Sequence, residues 1–245
     1  MSSRLTFRTP YRWDALRAFL SARTIDAIET FEGDRYSRGD VRVQYDGASL
    51  RVNSAKFADR ARRMFDLDAD PDEIARHLQR DPVLRPLVQR FLGTRVPGGW
   101  EPFEIGVRAI VGQQISVRGA TTIMNRLAPI LTPAALADAE IVGMPRSRAE
   151  TIRSFARAVA DDATLLAPGE SLDDTIERLV ALRGIGPWTA NYIAMRALRQ
   201  PDAFPSSDLG LQKAAKKLRV DNLLKRAERW RPFRAYAAMM LWESL

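Results

Sequence analysis

Two glycines in the segment Leu182–Ala190 constrain the local fold of this chain more than any other feature. Gly184 and Gly186 are separated by one residue and are followed directly by Pro187. Glycine can take positive φ and lets another backbone come close, so this spacing predicts a sharp turn. Proline suits the first position of a helix. Because Ser171 upstream starts a run with helical apolar spacing, the segment is predicted as helix, hairpin, helix.

This hairpin has two interpretations. Its outward N–H groups and the start of the second helix can hold a phosphate. It can equally be a tight turn between packed helices, because a short glycine motif specifies function loosely. The chain has 245 residues, with 38 Lys and Arg against 30 Asp and Glu, and its formal charge of +8 favours a polyanionic partner such as nucleic acid. Charge alone favours the phosphate-binding interpretation of the hairpin only modestly, since many basic proteins bind no nucleic acid.

The residue types that are missing exclude several kinds of chemistry. The sequence has no cysteine, which removes disulfides, thiolate zinc sites, cysteine nucleophiles and iron–sulfur clusters. Its one histidine, His77, makes a histidine-based metal site or triad a poor explanation, and we interpret it as a helix-surface residue. No stretch approaches the ~18 apolar residues of a membrane span, so we expect a soluble, cytoplasmic protein with no membrane partner.

The hydrophobic period changes along the chain. A helix is predicted over 12–22, and the alternation in 41–45 and 50–52 around Asp46-Gly47 indicates an antiparallel hairpin. A small α/β domain should end near residue 68. The later periodic segments are helical, beginning with 72–80 and 84–92. We expect a connector over Thr94–Trp100 and a loop over Ala163–Glu170, so the fold class is α+β.

Aromatic residues are concentrated in the second half of the chain. Trp188 and Tyr192 share one face of the helix after the hairpin, together with Met195. Basic residues in the last ~45 positions alternate with Trp230, Phe233, Tyr236 and Trp242. This pattern suits a nucleic-acid surface. A packed aromatic core under a solvated basic face fits nearly as well.

Asp208 has both a structural and a chemical interpretation. It follows Phe204-Pro205-Ser206-Ser207 and precedes a helix-like run, so it is predicted to cap a helix. An acid at a helix start favours its charged form, which is the form that stabilises a sugar with oxocarbenium character as it loses its base. Capping and catalysis are compatible.

These motifs resemble the helix-hairpin-helix DNA glycosylases, and specifically the bacterial 3-methyladenine DNA glycosylase II group. The resemblance extends over nearly the whole chain. It rests on the hairpin, Trp188–Tyr192, Phe204–Asp208, Tyr11–Trp13, Phe103–Ile110, Gly143–Pro145, Glu228–Pro232 and Trp242.

The resemblance implies a monofunctional enzyme that flips alkylated bases out of duplex DNA and cuts their glycosidic bond. It implies a small N-terminal antiparallel-sheet domain over 1–68 and an all-α core of two helical subdomains. The subdomain with the catalytic aspartate would comprise 69–101 and 201–245, and the one with the hairpin 102–200. No cofactor would be required, and we expect a monomer acting on double-stranded DNA.

The family's functional residues map onto this sequence position by position. Asp208 would be the catalytic carboxylate, and the base pocket would be formed by Phe19, Trp188, Tyr192 and Trp242. DNA would be bound by Gly184, Gly186, Thr189 and Gln114. The backbone carbonyls of Val180, Leu182 and Ile185 would hold a monovalent cation.

At three positions this sequence differs from the pattern of the family that it resembles. Trp188 stands where lyase members have a Schiff-base lysine, so strand nicking is not expected. Gln114 stands where the best-known member has a leucine wedge. Leu209 replaces an aromatic that can follow the catalytic aspartate, which predicts a more open pocket. The alternatives are a non-catalytic DNA-binding module, in which Asp208 is only a cap, and a bifunctional glycosylase-lyase.

Overall fold

The first part of the chain folds around one antiparallel sheet. The computed structural model describes residues 2–167 and 171–245. The five strands are β1 (Ser3–Leu5), β2 (Glu29–Glu32), β3 (Arg35–Arg38), β4 (Val41–Tyr45) and β5 (Leu50–Val52). Their order is β1-β5-β4-β3-β2, and every neighbouring pair is antiparallel. The predicted hairpin is therefore confirmed as β4 and β5.

Period-two alternation explains why this sheet has one buried face. Val43 and Val52 lie opposite each other in register and are fully buried, whereas Arg51 is exposed. Two helices, α1 (Trp13–Ser21) and α2 (Ala58–Phe65), belong to the same part of the chain. Their apolar residues join the cluster on the buried face, which removes that surface from water.

The regular elements in the rest of the described chain are helices, which confirms the α+β class. The helices are α3 (Pro71–Leu78), α4 (Arg85–Arg90), α5 (Pro102–Val111), α6 (Val117–Leu127), α7 (Pro133–Asp138), α8 (Arg146–Asp161), α9 (Leu172–Val180), α10 (Pro187–Arg196), α11 (Leu209–Lys217), α12 (Leu223–Ala227) and α13 (Arg234–Glu243). Proline opens α3, α5, α7 and α10, where its missing N–H costs no hydrogen bond. Within the described ranges, the helices are too short or too polar to cross a bilayer.

Buried side chains of the described residues form three hydrophobic clusters. One lies under the sheet and includes Tyr36, Phe65 and Trp100. A second combines α3 and α4 with the C-terminal helices around the fully buried Trp230. The third draws mainly on residues 103–198, which include α5, α8 and α10. The domain borders expected from the resemblance remain predictions, because clusters two and three share the helix α10.

The ends of three predicted helices and part of one predicted loop differ from the structure. The predicted helices 12–22, 72–80 and 84–92 exist, but each ends earlier, as α1, α3 and α4. The predicted loop over Ala163–Glu170 is wrong in its first half, because Ala163–Leu166 forms a short 3₁₀ helix. The Asp162 side chain accepts the Thr164 N–H at 2.8 Å and so starts this turn. Residues 168–170 of the predicted loop lie outside the described residues.

The predicted connector Thr94–Trp100 is buried, although connectors normally run over the surface. Arginines from other segments satisfy its carbonyl groups. The Arg196 guanidinium donates to Pro97 O at 2.9 Å and to Gly98 O at 3.0 Å, and Arg199 donates to Val96 O. Buried carbonyls need such partners, so these arginines allow the chain to cross between the helical parts inside the protein.

Candidate functional site

Asp208 lies at the first turn of α11 with three N–H donors around its carboxylate. Oδ1 accepts the Leu211 backbone N–H at 3.0 Å, which confirms the predicted helix cap. Oδ1 also accepts the Trp242 indole Nε1–H at 2.8 Å, and Oδ2 accepts the Trp188 Nε1–H at 3.0 Å. Three donors and a helix N-terminus are complementary to a negatively charged group. The carboxylate is therefore held in one orientation from both sides.

Gly210, two residues after Asp208, permits this arrangement. A Cβ at this position would come within 3.0 Å of both Asp208 Oδ1 and Trp242 Cδ1. The indole can therefore reach the carboxylate because residue 210 has no side chain. The local sequence around Gly210 carries no sign of this role, because the tryptophan that packs against it is distant along the chain.

A cleft of about 880 Å³ brings most of the predicted site residues together. Its lining includes Asp208 and the predicted pocket residues Phe19, Trp188, Tyr192 and Trp242. Trp188 and Tyr192 are stacked, with centroids 5.5 Å apart, and Trp242 lies 6.5 Å from Tyr192. Met195, at the end of the same helical face, is fully buried in the second cluster and does not line this cleft. The cleft thus combines a flat aromatic wall with one oriented carboxylate.

Guanidinium groups also lie at the cleft, next to Phe19 and Tyr192, although none of them was predicted as a site residue. Arg23 and Arg108 line it, and Arg196 donates to the Tyr192 hydroxyl at 2.9 Å. The Arg23 guanidinium lies 3.6 Å from the centroid of the Phe19 ring. That face of Phe19 is therefore covered by a cation of the protein itself. The spacing of Tyr192 and Arg196, four residues apart on one helix, was the available signal.

Burial and mutual repulsion shift the pKa values of these groups. Burial is the main reason that the pKa of Arg23 is lowered and that of Arg108 falls to about 10. Burial also acts most strongly on Tyr192 and raises its pKa, but the charges of Arg196, Arg23 and Arg108 together outweigh it. The pKa of Tyr192 therefore lies below its ordinary value. The part of the cleft around Arg23, Arg108 and Tyr192 therefore carries positive charge and hydrogen-bond donors.

The hairpin between α9 and α10 has the predicted form. Ser171 caps α9 by accepting the Asp174 N–H, and Pro187 is the first residue of α10. Gly184 has a φ of +85°, and a Cβ there would collide with the Thr151 side chain of α8. Gly186 has a φ of −92°, and a Cβ there would meet nothing within 4 Å. Gly184 is thus required by the fold, while Gly186 leaves an open approach to the start of α10.

The carbonyls expected to hold a cation lie at the end of α9 and in the turn. Val180 is the last residue of α9, and Leu182 O accepts the Ile185 N–H at 3.1 Å. The described residues contain no group of three or more His, Cys, Asp or Glu side chains that could hold a metal ion. Neutral backbone oxygens without carboxylates fit a hard cation of low charge.

Of the remaining expected DNA contacts, Gln114 and Thr189 differ in exposure. Gln114 is exposed at the cleft rim with a φ of +61°. Thr189 has only 2% of its surface exposed, and its Oγ1 accepts a hydrogen bond from Gln113 Nε2 at 2.9 Å. Gln113 therefore stands between the hairpin and the rim.

The basic C-terminal segment is divided between ion pairs and core. Arg226 pairs with Asp81, and Arg231 and Arg234 pair with Asp202. Trp230 and Tyr236 are buried, so for them the core interpretation holds, and Trp242 alone of the four aromatics lines the cleft. Phe233 contacts the ring of His77 at 5.6 Å. His77 is half-buried by this contact, so its assignment to the helix surface is only partly right.

Family models and relatives agree with this geometry. Residues 2–101 match the AlkA N-terminal domain, and residues 107–231 match the HhH-GPD superfamily base excision DNA repair protein family. The chain is 34% identical over its whole length to the "Probable bifunctional transcriptional activator/DNA repair enzyme AlkA" of Mycobacterium tuberculosis, of which it spans 57%. It is 29% identical to "DNA-3-methyladenine glycosylase 2" of Escherichia coli, covering 97% of this chain and 95% of the relative.

A solved structure shows the same fold across the chain. The 3-methyladenine DNA-glycosylase from Archaeoglobus fulgidus superposes with a TM-score of 0.82, at 21% identity, covering 98% of this chain and 97% of the other. The glycine hairpin, the cleft and the family match together lead to one conclusion. This chain belongs to the HhH-GPD superfamily of base excision DNA repair proteins.

Proposed function

We propose that this protein is a monofunctional DNA glycosylase that removes alkylated bases, of the 3-methyladenine and 7-methylguanine type, from duplex DNA. The observation that carries the proposal is the Asp208 carboxylate, fixed between two indole N–H groups at the edge of an aromatic cleft. The names of the relatives from E. coli and M. tuberculosis support the substrate class and the repair role.

The cleft offers what this reaction needs. A purine in DNA that is methylated on N3 of adenine or N7 of guanine is cationic, so it is a good leaving group without a general acid. When the C1′–N bond breaks, its electron pair goes to the base, which leaves neutral, and the sugar takes the positive charge. The Asp208 carboxylate stabilises that charge, and water then adds to C1′ and loses a proton to give an abasic site.

The base would stack on the aromatic wall. The faces of Trp188 and Tyr192 attract a cationic ring. Phe19 and Tyr192 are less available than Trp188, because Arg23 covers a face of Phe19 and the Arg196 guanidinium lies 5.5 Å from the centroid of the Tyr192 ring. The positive charge of Arg23 and Arg108 opposes a cationic base near them, so the methylated ring is best placed toward Trp188 and the carboxylate.

Asp208→Asn tests the proposal. We expect at least a hundredfold loss of 3-methyladenine release from alkylated duplex, because a neutral amide gives little stabilisation to an oxocarbenium ion. DNA affinity should change little. Single-turnover base release and fluorescence anisotropy with a duplex measure the two quantities separately.

Asp70→Asn is a matched control. Asp70 also caps a helix, by accepting the Asp72 and Glu73 N–H groups, but it does not line the cleft. Its substitution should leave base release unchanged. If Asp208→Asn kept full activity, or if the wild-type protein bound duplex without releasing bases, Asp208 would be only a cap and the chain a DNA-binding module.

We also propose that the carbonyl oxygens of Val180, Leu182 and Ile185 hold a monovalent cation at the hairpin. Such a cation would add positive charge beside a bound phosphate. Replacing K⁺ and Na⁺ with a bulky organic cation at constant ionic strength should weaken duplex binding several-fold, measured by anisotropy. Equal affinity in both salts would contradict this site.

The partner of this site would be a single DNA duplex bound by one copy of the chain. The +8 charge favours such binding in a salt-dependent way. Light scattering of the free protein and of its complex with a short duplex gives both stoichiometries, and we expect one protein per duplex.

A further inference from the structure

The five residues between α5 and α6 form a loop at the cleft rim, and its geometry is unusually constrained. This rim loop comprises residues 112–116. Its middle residue, Gln114, is exposed and left-handed, with a φ of +61°, which costs free energy for a residue other than glycine. Ser116 fixes the far end by capping α6 through the Gly119 N–H at 3.1 Å. A strained exposed tip of this kind persists only when its surroundings hold it.

The Gln113 side chain connects the rim loop to the hairpin. Its amide Nε2 donates to Thr189 Oγ1 at 2.9 Å and lies 3.3 Å from the carbonyl oxygen of Gly184. A backbone carbonyl can only accept, so the amide nitrogen must face the hairpin, and its two hydrogens serve the two acceptors. The link therefore reaches both the hairpin apex and the first turn of α10.

Helix α8 completes the junction. Arg148 Nη2 donates to the backbone oxygen of Gln113 at 2.8 Å, while Thr151 packs against Gly184. The rim loop, the hairpin and α8 thus meet at Gln113. Hydrogen bonds at both the side-chain amide and the backbone oxygen of Gln113 fix the direction in which the next residue, Gln114, leaves this junction.

We propose that Gln113 is a positioning residue. Because it links the rim loop to the hairpin that binds the DNA strand, it fixes how far Gln114 and Ile115 insert into the duplex. The inference rests on the proposed function, because it assumes a duplex held over the cleft. Gln114, Ile115, Gly186 and Thr189 all line the same cleft. A duplex bound at Gly186 therefore meets the rim loop, and a fixed loop tip keeps the displaced base from returning.

The test separates strand binding from base displacement. The probe is a duplex with a tetrahydrofuran abasic analogue next to 2-aminopurine, whose fluorescence rises when it is unstacked. At saturating wild-type protein the fluorescence should rise. Gln113→Met keeps the side-chain length but removes both donors, so we expect less than half of that rise, with duplex affinity within about threefold of wild type. Single-turnover base release should fall about tenfold, the effect of roughly one net hydrogen bond.

Matched variants identify the bond. Thr189→Val removes the acceptor and should reproduce the Gln113→Met result, whereas Thr189→Ser keeps the hydroxyl and should recover the fluorescence rise. Gln44→Met removes a glutamine amide of the sheet and should have no effect. A normal fluorescence rise in Gln113→Met at saturation, or a loss confined to affinity, overturns the inference. Absence of base release by the wild-type protein would instead overturn the proposed function.

Discussion

At the residue scale, the proposal of hydrolysis without strand cleavage depends on Trp188. Its indole contributes both an aromatic face and an N–H donor to Asp208. The cleft lining includes no lysine among the described residues. A Schiff base needs an amine beside C1′, so the side chains at this point favour hydrolysis over strand cleavage.

Borohydride trapping checks this expectation. With alkylated duplex, wild-type protein should leave abasic sites that break only after alkali, and no covalent protein–DNA adduct should form. A glycosylase-lyase run in parallel serves as the positive control. A trapped adduct from this chain would restore the bifunctional alternative.

Some contacts of single residues could be predicted from the sequence and others could not. The cap at Asp208 and the proline at 187 could be predicted because their partners lie within four residues. The second indole on Asp208 and the guanidinium on Phe19 could not, because Trp242 is 34 positions from the carboxylate and the arginine pattern carries no local signal. Helical spacing placed Trp188 and Tyr192 on one face, whereas Phe19 and Trp242 were assigned to the pocket only by the family resemblance.

At the element scale, the two hairpin glycines have different roles although they lie only two positions apart. Gly184 is needed for its positive φ and its contact with α8, so Gly184→Ala should lower the free energy of unfolding by about 2 kcal/mol. Gly186 has ordinary φ and open space around it.

Gly186→Ala should therefore leave unfolding by urea within about 0.5 kcal/mol of wild type. Affinity for any duplex, damaged or intact, should fall about tenfold, because the added methyl lies where a phosphate would approach. Denaturation curves and anisotropy titrations give the two numbers. Unchanged affinity would mean that the hairpin does not contact the strand at this glycine.

Helix and strand periods allowed most elements to be predicted, but not their ends or their exposure. The buried connector was expected to be an ordinary linker, since its glycines and proline are typical of surface turns. Its burial depends on Arg196 and Arg199, about a hundred residues later. Long-range hydrogen bonds of this kind leave no trace in a local window.

At the scale of the whole molecule, a buried ion pair joins the sheet to the helical core. Arg38 of β3 donates to both carboxylate oxygens of Glu104 in α5. Burial is the main influence on Glu104 and raises its pKa, and Arg38 only partly offsets that effect. Because this pKa is raised in the folded state, the associated stability is present at low pH and is lost as pH rises through it.

Arg38→Met should enlarge that loss. Without the guanidinium, ionised Glu104 stays buried and unpaired, so we expect about 3 kcal/mol less stability at pH 8 and a smaller deficit at pH 5. Urea unfolding at both pH values measures this. Arg60→Met breaks the more exposed Arg60–Glu101 pair and should cost under about 1 kcal/mol at either pH. A pH-independent deficit in Arg38→Met would rule out the electrostatic cause.

Arg196 serves two structures at once, since its guanidinium bonds the Tyr192 hydroxyl and the main chain at Pro97 and Gly98. Tyr192, which lines the cleft, is therefore bonded to an arginine that is itself fixed to the main chain, so its ring cannot move aside as an unbonded side chain could. We expect a bulky adduct to extend toward the opening of the cleft, where Leu209 has 81% of its surface exposed, and not deeper into the protein.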